Sequence, residues 1–282
     1  MRLNAIVLVT LTILTCGNLA YSQDECEKLI VKYTDGNETP GNKWSLNIDG
    51  ATGKLAYFGA QHLDDPADSQ FSAIKALWEK TKPTVAFFEG PNRGAEETDT
   101  GTIRKFGESG YVRYLAKRSG ISSYSLEPPP AELYKYLATK YPQEKVDTYF
   151  LLSEAMRLRT RKNYDKGQIE KEVEVMIAKL TALLGAKPAV SSIAELEAAY
   201  KKYWGSAKEW WQAPKEWFDP NKTSAQTGGI FTNDINKLSS DYRDIYMYKL
   251  LAGQVNKGER VIAVIGRNHI PMQEAALRCA IK

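Results

Sequence analysis

The sequence predicts an α/β fold, a mostly parallel central sheet flanked by helices, with a large helical insertion between the two halves of the sheet. Short runs at 54–58, 84–88, 122–126 and 260–265 read as strands, the first, second and fourth of them buried. The first three are separated by stretches with helical spacing, the strand, helix, strand rhythm that right-handed crossovers impose on a parallel sheet. Between the third and the fourth, from 130 to about 257, the pattern becomes one of long amphipathic helices.

In order along the chain, residues 1–22 carry Arg2 ahead of an apolar run at 5–13 that is too short to cross a bilayer. They read as a signal peptide. Ala20 and Ser22 are small residues suited to a cut near Ser22, so the mature domain runs 23–282 and is exported, periplasmic or secreted. A lipid anchor on Cys16 is the rival reading and the only route offered to membrane association. Cleavage leaves Cys26 and Cys279, which in an oxidising compartment are expected to tie the termini together, two free thiols being the alternative. Two sequons, at Asn37 and Asn221, matter only in a eukaryotic host.

Residues 29–33 read as a short strand-like opening, and Asp49-Gly50 as a turn before the strand at 54–58. A helix at 66–79 places Phe71, Ile74, Leu77 and Trp78 on one face. After the strand at 84–88, a helical stretch at 111–117 leads to the strand at 122–126. In the insertion, Ile169, Val173, Met176, Leu180 and Leu183 keep one apolar stripe, and Leu196, Ala199, Tyr200 and Tyr203 repeat it. Trp204, Trp210, Trp211 and Trp217 either fill a small helical core or line a groove. The strand at 260–265 and a helix at 271–279 close the fold.

With 43% hydrophobic and 26% charged residues, the chain has the composition of a folded protein and not of a disordered one. Its formal net charge of +4 comes with no basic run, so neither nucleic acid nor another polyanion is an expected partner.

The chemistry centres on the only two histidines, which share one setting: Gly59-Ala60-Gln61-His62 and Gly266-Arg267-Asn268-His269. A glycine just past a strand is expected to take backbone angles closed to other residues and so to turn the imidazole over the sheet edge. Ligands of open α/β sheets bind at the carboxyl ends of the strands. There the four strands deliver His62, Glu89, Glu127 and His269. Glu89 ends the apolar run 85–88 and Glu127 follows Tyr124-Ser125-Leu126, and at such a strand end an ionised carboxylate needs a partner or a cation. His62, Glu89 and His269 are therefore the expected metal ligands, a nitrogen and oxygen set that suits a divalent ion such as zinc, manganese or cobalt. A glutamate not engaged by the metal, Glu89 or Glu127, is the expected general base. Arg243, read at a helix start, is either the stabiliser of a developing oxyanion or a surface arginine paired with Asp241 or Asp244.

These residues resemble the TraB, GumN and TIKI-like family, which is related in fold to the erythromycin esterases and to ChaN-like haem-binding proteins. The resemblance covers nearly all of the mature chain. It rests on Tyr57-Phe58-Gly59-Ala60-Gln61-His62, Phe87-Phe88-Glu89, the Arg243-Asp244 helix and Val264-Ile265-Gly266-Arg267-Asn268-His269. It implies a metal-dependent, peptidase-like hydrolase of a peptide or small-molecule amide or ester, with both histidines and the strand-end glutamate at the active centre. Two alternatives stand beside it. One is a ChaN-like protein that uses the histidines to bind haem, iron or a small ligand, and the other a non-catalytic interaction or inhibitor protein.

Overall fold

The computed structural model describes residues 24–41, 45–205 and 208–282, so the proposed signal peptide and Cys16 lie outside the described residues. The fold is α/β, with a five-stranded, mostly parallel sheet. Its strands are β1 (Ser45–Asp49), β2 (Lys54–Ala60), β3 (Val85–Phe88), β4 (Ser122–Ser125) and β5 (Arg260–Gly266), in spatial order β1-β2-β5-β3-β4. Strands β2, β5, β3 and β4 are mutually parallel, whereas β1 runs antiparallel to β2 at the edge. The sequence reading missed β1. Only Leu46 and Ile48 face inward on it, alternating with three exposed polar residues, so it carries half the apolar signal of a strand covered on both faces.

Between the strands lie α1 (Ser69–Thr81), α2 (Asp99–Ser119), α3 (Pro130–Ala138), α4 (Gln143–Lys162), α5 (Lys166–Leu184), α6 (Ile193–Trp204) and α7 (Thr232–Asn256), and α8 (His269–Ala280) follows β5. One sheet face, through Ala56, Ala86, Phe88, Ile262 and Val264, packs on Phe71, Ile74 and Trp78 of α1 and on Tyr111 and Val112 of α2. The other, through Tyr57, Phe87, Ala263 and Ile265, packs on Met247, Leu251 and Val255 of α7 and on Ile270 and Leu277 of α8. The helices between β4 and β5 gather a third apolar cluster, which includes Leu152, Ile169, Val173 and Leu196. Trp210 and Trp217 are buried in it, with Trp204 and Trp211 packed against it, so the tryptophans help to fill a core.

Three further expectations are corrected. Residues 29–33 form no strand: Val31 N–H bonds to the Met272 carbonyl and Tyr33 N–H to the Asp241 carboxylate, leaving no ladder for a sheet neighbour. The helical stretch expected at 111–117 is far longer, because Thr98 caps it at the start and Gly107 lets it kink without ending. Arg243 sits within α7, not at a helix start, and the Asp241 carboxylate accepts from the backbone N–H groups of Tyr33 and Thr34. The Cys26–Cys279 disulfide is formed, joining residues 253 apart in sequence. Among the described residues no helix is long and apolar enough to cross a membrane.

Candidate active site

Because β5 inserts between β2 and β3, the carboxyl edge of the sheet presents its polar residues in the order His62, His269, Glu89, Glu127. The chain ends are far apart in sequence, yet His62 and His269 line one cleft of ≈ 260 Å³ together with Ala60, Gly266 and Asn268.

The two glycines of the repeated motif act by their size. Neither takes a positive φ; Gly59 and Gly266 stay in their strands, and the left-handed residue is His62 itself, at φ 57°. A Cβ on Gly59 would stand 2.8 Å from Arg267 Cα, where the loop leading to His269 crosses. A Cβ on Gly266 would stand 2.9 Å from His62 Nε2 and 3.3 Å from a Glu89 oxygen. The motif glycines thus make room for the other motif's loop and ring, which corrects the expectation of special backbone angles. A non-glycine residue in the left-handed region costs roughly 1–2 kcal/mol, and such strain collects at functional sites.

Each imidazole is held through Nδ1 by a carboxylate. His62 Nδ1 lies 2.7 Å from Glu108 Oε1, and His269 Nδ1 lies 2.8 Å from Asp244 Oδ1. Sequence reasoning missed both partners. Glu108 follows the kink at Gly107, whose φ of 60° and ψ of −152° break α2 locally and swing the next side chain toward β2. A glycine followed by an acid inside a helical stretch was the available signal. Asp244 was weighed only as a partner for Arg243. It is fully buried, and it also accepts from Gln273 Nε2 at 2.6 Å, while its Oδ2 has no partner.

Glu89 bridges the His62 side of the edge to Arg243. One of its oxygens accepts the Gly266 N–H at 2.7 Å and lies 3.7 Å from His62 Nε2; the other is 3.3 Å from Arg243 Nη2. Arg243 is gripped at two points by Glu127, Nε at 2.7 Å and Nη2 at 2.6 Å. It therefore pairs with the strand-end glutamates and makes no bridge to Asp241 or Asp244. All five residues expected at the site are brought to one sheet edge.

Burial works against the Glu89 charge, but Arg243, His269, His62 and the Gly266 N–H together outweigh it and hold the carboxyl down to about 2. The Glu108 hydrogen bond raises the His62 pKa against a smaller desolvation penalty. Desolvation lowers that of His269, and Asp244 overcomes it to leave a net rise. Burial disfavours the Arg243 charge, but Glu127 and Glu89 raise its pKa, so it stays cationic.

An imidazole whose Nδ1–H is donated to a carboxylate presents Nε2 as a ligand, and metal-bound histidines are held in this way. Both histidines meet that condition, and Glu89 lies beside one of them. Among the described residues no three His, Cys, Asp or Glu side chains are drawn together tightly enough to form a finished coordination shell. The chemistry and orientation of the donors fit a divalent ion. Comparisons with protein-family models, with curated proteins and with solved structures returned no match.

Proposed function

We propose that the chain is an exported, metal-dependent hydrolase of a peptide or related amide or ester bond, of the TraB, GumN and TIKI-like kind. One observation carries the reading. Two histidines from opposite ends of the chain line a single cleft over the sheet edge, each with Nδ1 fixed by a buried carboxylate. Structural histidines at strand ends have no need of that shared orientation.

His62 Nε2, His269 Nε2 and a Glu89 oxygen would hold the ion. When bound, a divalent cation supplies Lewis acidity and makes water nucleophilic near neutral pH. Glu108 and Asp244 fix ring orientation and tautomer, so little reorganisation is needed at the moment of reaction. Glu127 holds Arg243 in place, and Arg243 supplies the fixed positive charge beside Glu89 that favours anionic character developing at the bond under attack. Glu127 thus serves as the positioning residue for Arg243, and the Glu89 oxygen that does not hold the ion is the one left to accept a proton.

Elemental analysis of the purified chain and of His62→Ala tests the reading. Stoichiometric metal and peptide hydrolysis are expected, both lost in the variant with the fold retained. Unchanged metal content in His62→Ala would sink it. A second reading is favoured by the full partnering of Glu89, both of whose oxygens are already engaged. There His62 and Glu108 act as a general-base pair without an ion, and activity survives exhaustive chelation.

A further inference from the structure

Beyond the small cleft between the histidines, a wider one of ≈ 800 Å³ opens on the other side of His62 and Glu89, walled by the loop after β3, by the kinked α2 and by the end of α4. Its charges are unbalanced. Glu154 is engaged by Arg157 at 2.6 Å, Lys105 by Glu96 at 2.5 Å, Glu108 by His62 and Glu89 by Arg243. That leaves Arg93, Arg113, Arg161 and Lys162 on the walls, with Asp64 the one acid there that makes no ion pair among the described residues. Basic residues at the end of α4 are a common complement to a helix C-terminus, which accounts for Arg161 and Lys162. It does not account for the other two.

Arg113 is the independent observation. It is only 6% exposed, yet no carboxylate pairs with it among the described residues. Its Nε donates to the Gly94 carbonyl at 2.7 Å, its guanidinium lies 4.8 Å from the Phe88 ring centre, and its buried Nη1 has no acceptor. Arg93 stands close enough to disfavour its charge further, on top of burial. A guanidinium held out of water, stacked on aromatics, with a carbonyl for Nε and no acceptor for Nη1, is costly unless something anionic completes it. Arg161 is near enough to act electrostatically on His62, so the basic wall adjoins the proposed reacting groups.

We infer that this cleft is a subsite for an anionic group of the substrate, a carboxylate or a phosphate, with Arg113 at its floor and Arg93 and Arg161 at its rim. The inference rests on the hydrolase reading for the word substrate, and it names that substrate's class: an acidic peptide or another anionic amide or ester, bound with its charge one subsite from the bond that is cleaved. The charge lies in three separate segments, so no basic run in the sequence announces it.

The test reads binding and needs no turnover. The full chain as purified is titrated by calorimetry with inorganic phosphate, with succinate and with neutral succinamide, and the series is repeated after chelation to remove binding through a cation. Saturable binding of phosphate, succinate or both is expected, with none of succinamide; which anion binds tells the phosphorylated class from the carboxylated one. Arg93→Gln and Arg161→Gln, both at exposed positions, should each weaken that binding roughly tenfold or more, the value of a charge-assisted hydrogen bond. Arg113→Gln should abolish it, and the two rim variants decide the matter if that protein does not fold. No saturable anion binding, or binding indifferent to the rim arginines, overturns the inference. Anion binding by a protein that hydrolyses nothing leaves the subsite standing and removes the hydrolase reading alone.

Discussion

The two Gly-x-x-His ends of the sheet look alike in sequence and are built differently. The His62 side chain is 40% exposed, takes a left-handed backbone and is held by a glutamate that reaches in from a helix kink. The His269 side chain is 14% exposed, opens a regular helix and leans on an aspartate with no exposed surface at all. One imidazole is attached to the edge of the fold and the other is part of its interior. The difference teaches that a repeated motif fixes which atom faces the cleft without fixing how much stability depends on it.

Removing each ring should therefore break the symmetry. His62→Ala and His269→Ala are both expected to abolish hydrolysis. Each strands a buried carboxylate, Glu108 or Asp244, and the second should destabilise the protein more, by about 3–5 kcal/mol, because Asp244 has no exposed surface while Glu108 keeps a little. His62→Gly relieves the left-handed strain while adding backbone freedom, and should stay within about 1 kcal/mol of His62→Ala in denaturant melts. Equal destabilisation by both alanine variants would show that the two ends are equivalent after all.

The carboxylates behind the rings sharpen the same contrast. Glu108→Gln and Asp244→Asn should each weaken metal affinity roughly 10–100-fold, the usual effect of disturbing a histidine's outer partner. Asp244→Asn should in addition lower stability by about 1–3 kcal/mol, since its side chain also satisfies the buried amide of Gln273. Chelator competition reads the first quantity and thermal melting the second.

Much of this was legible in the sequence. Three apolar runs and the short stretch 122–126, each leading to a histidine or glutamate, announced the parallel strands and the residues at their carboxyl edge. What escaped had physical causes. The edge strand β1 shows only Leu46 and Ile48 to the core, a pattern too sparse to announce a strand. Glu108 depends on a kink at Gly107, and helical periodicity does not register a kink. The order of the strands, with β5 between β2 and β3, is a tertiary fact that no local pattern encodes. It is nevertheless what sets the two histidines side by side.

Glu89, shared by both ends, supplies a pH signature. Its carboxyl is lowered from 4.5 to about 2 in the fold, so the stability it confers is complete above pH 4.5 and is lost as pH falls through about 2. The shift corresponds to a loss on the order of 3 kcal/mol. Acid unfolding of chelated protein should accordingly show a limb in that window, flattened in Glu89→Gln. An unchanged limb would mean that Arg243 and the Gly266 N–H do not govern this charge.

The glycines give the smallest and most discriminating contrast. In Gly266→Ala the new methyl would press on His62 Nε2 and on the Glu89 carboxylate, two side-chain groups that can shift. In Gly59→Ala it would press on the backbone at Arg267, which can move only by carrying the His269 loop with it. Overpacking against backbone costs about 1–3 kcal/mol, so Gly59→Ala should lower the melting temperature and impair the site as a consequence. Gly266→Ala should leave the melt nearly unchanged while weakening metal binding, because the displaced atoms are the proposed ligands themselves. If Gly266→Ala proved the less stable of the two and kept its metal affinity, the methyl would not be meeting the ligands, and the cleft between the rings would have to be drawn differently.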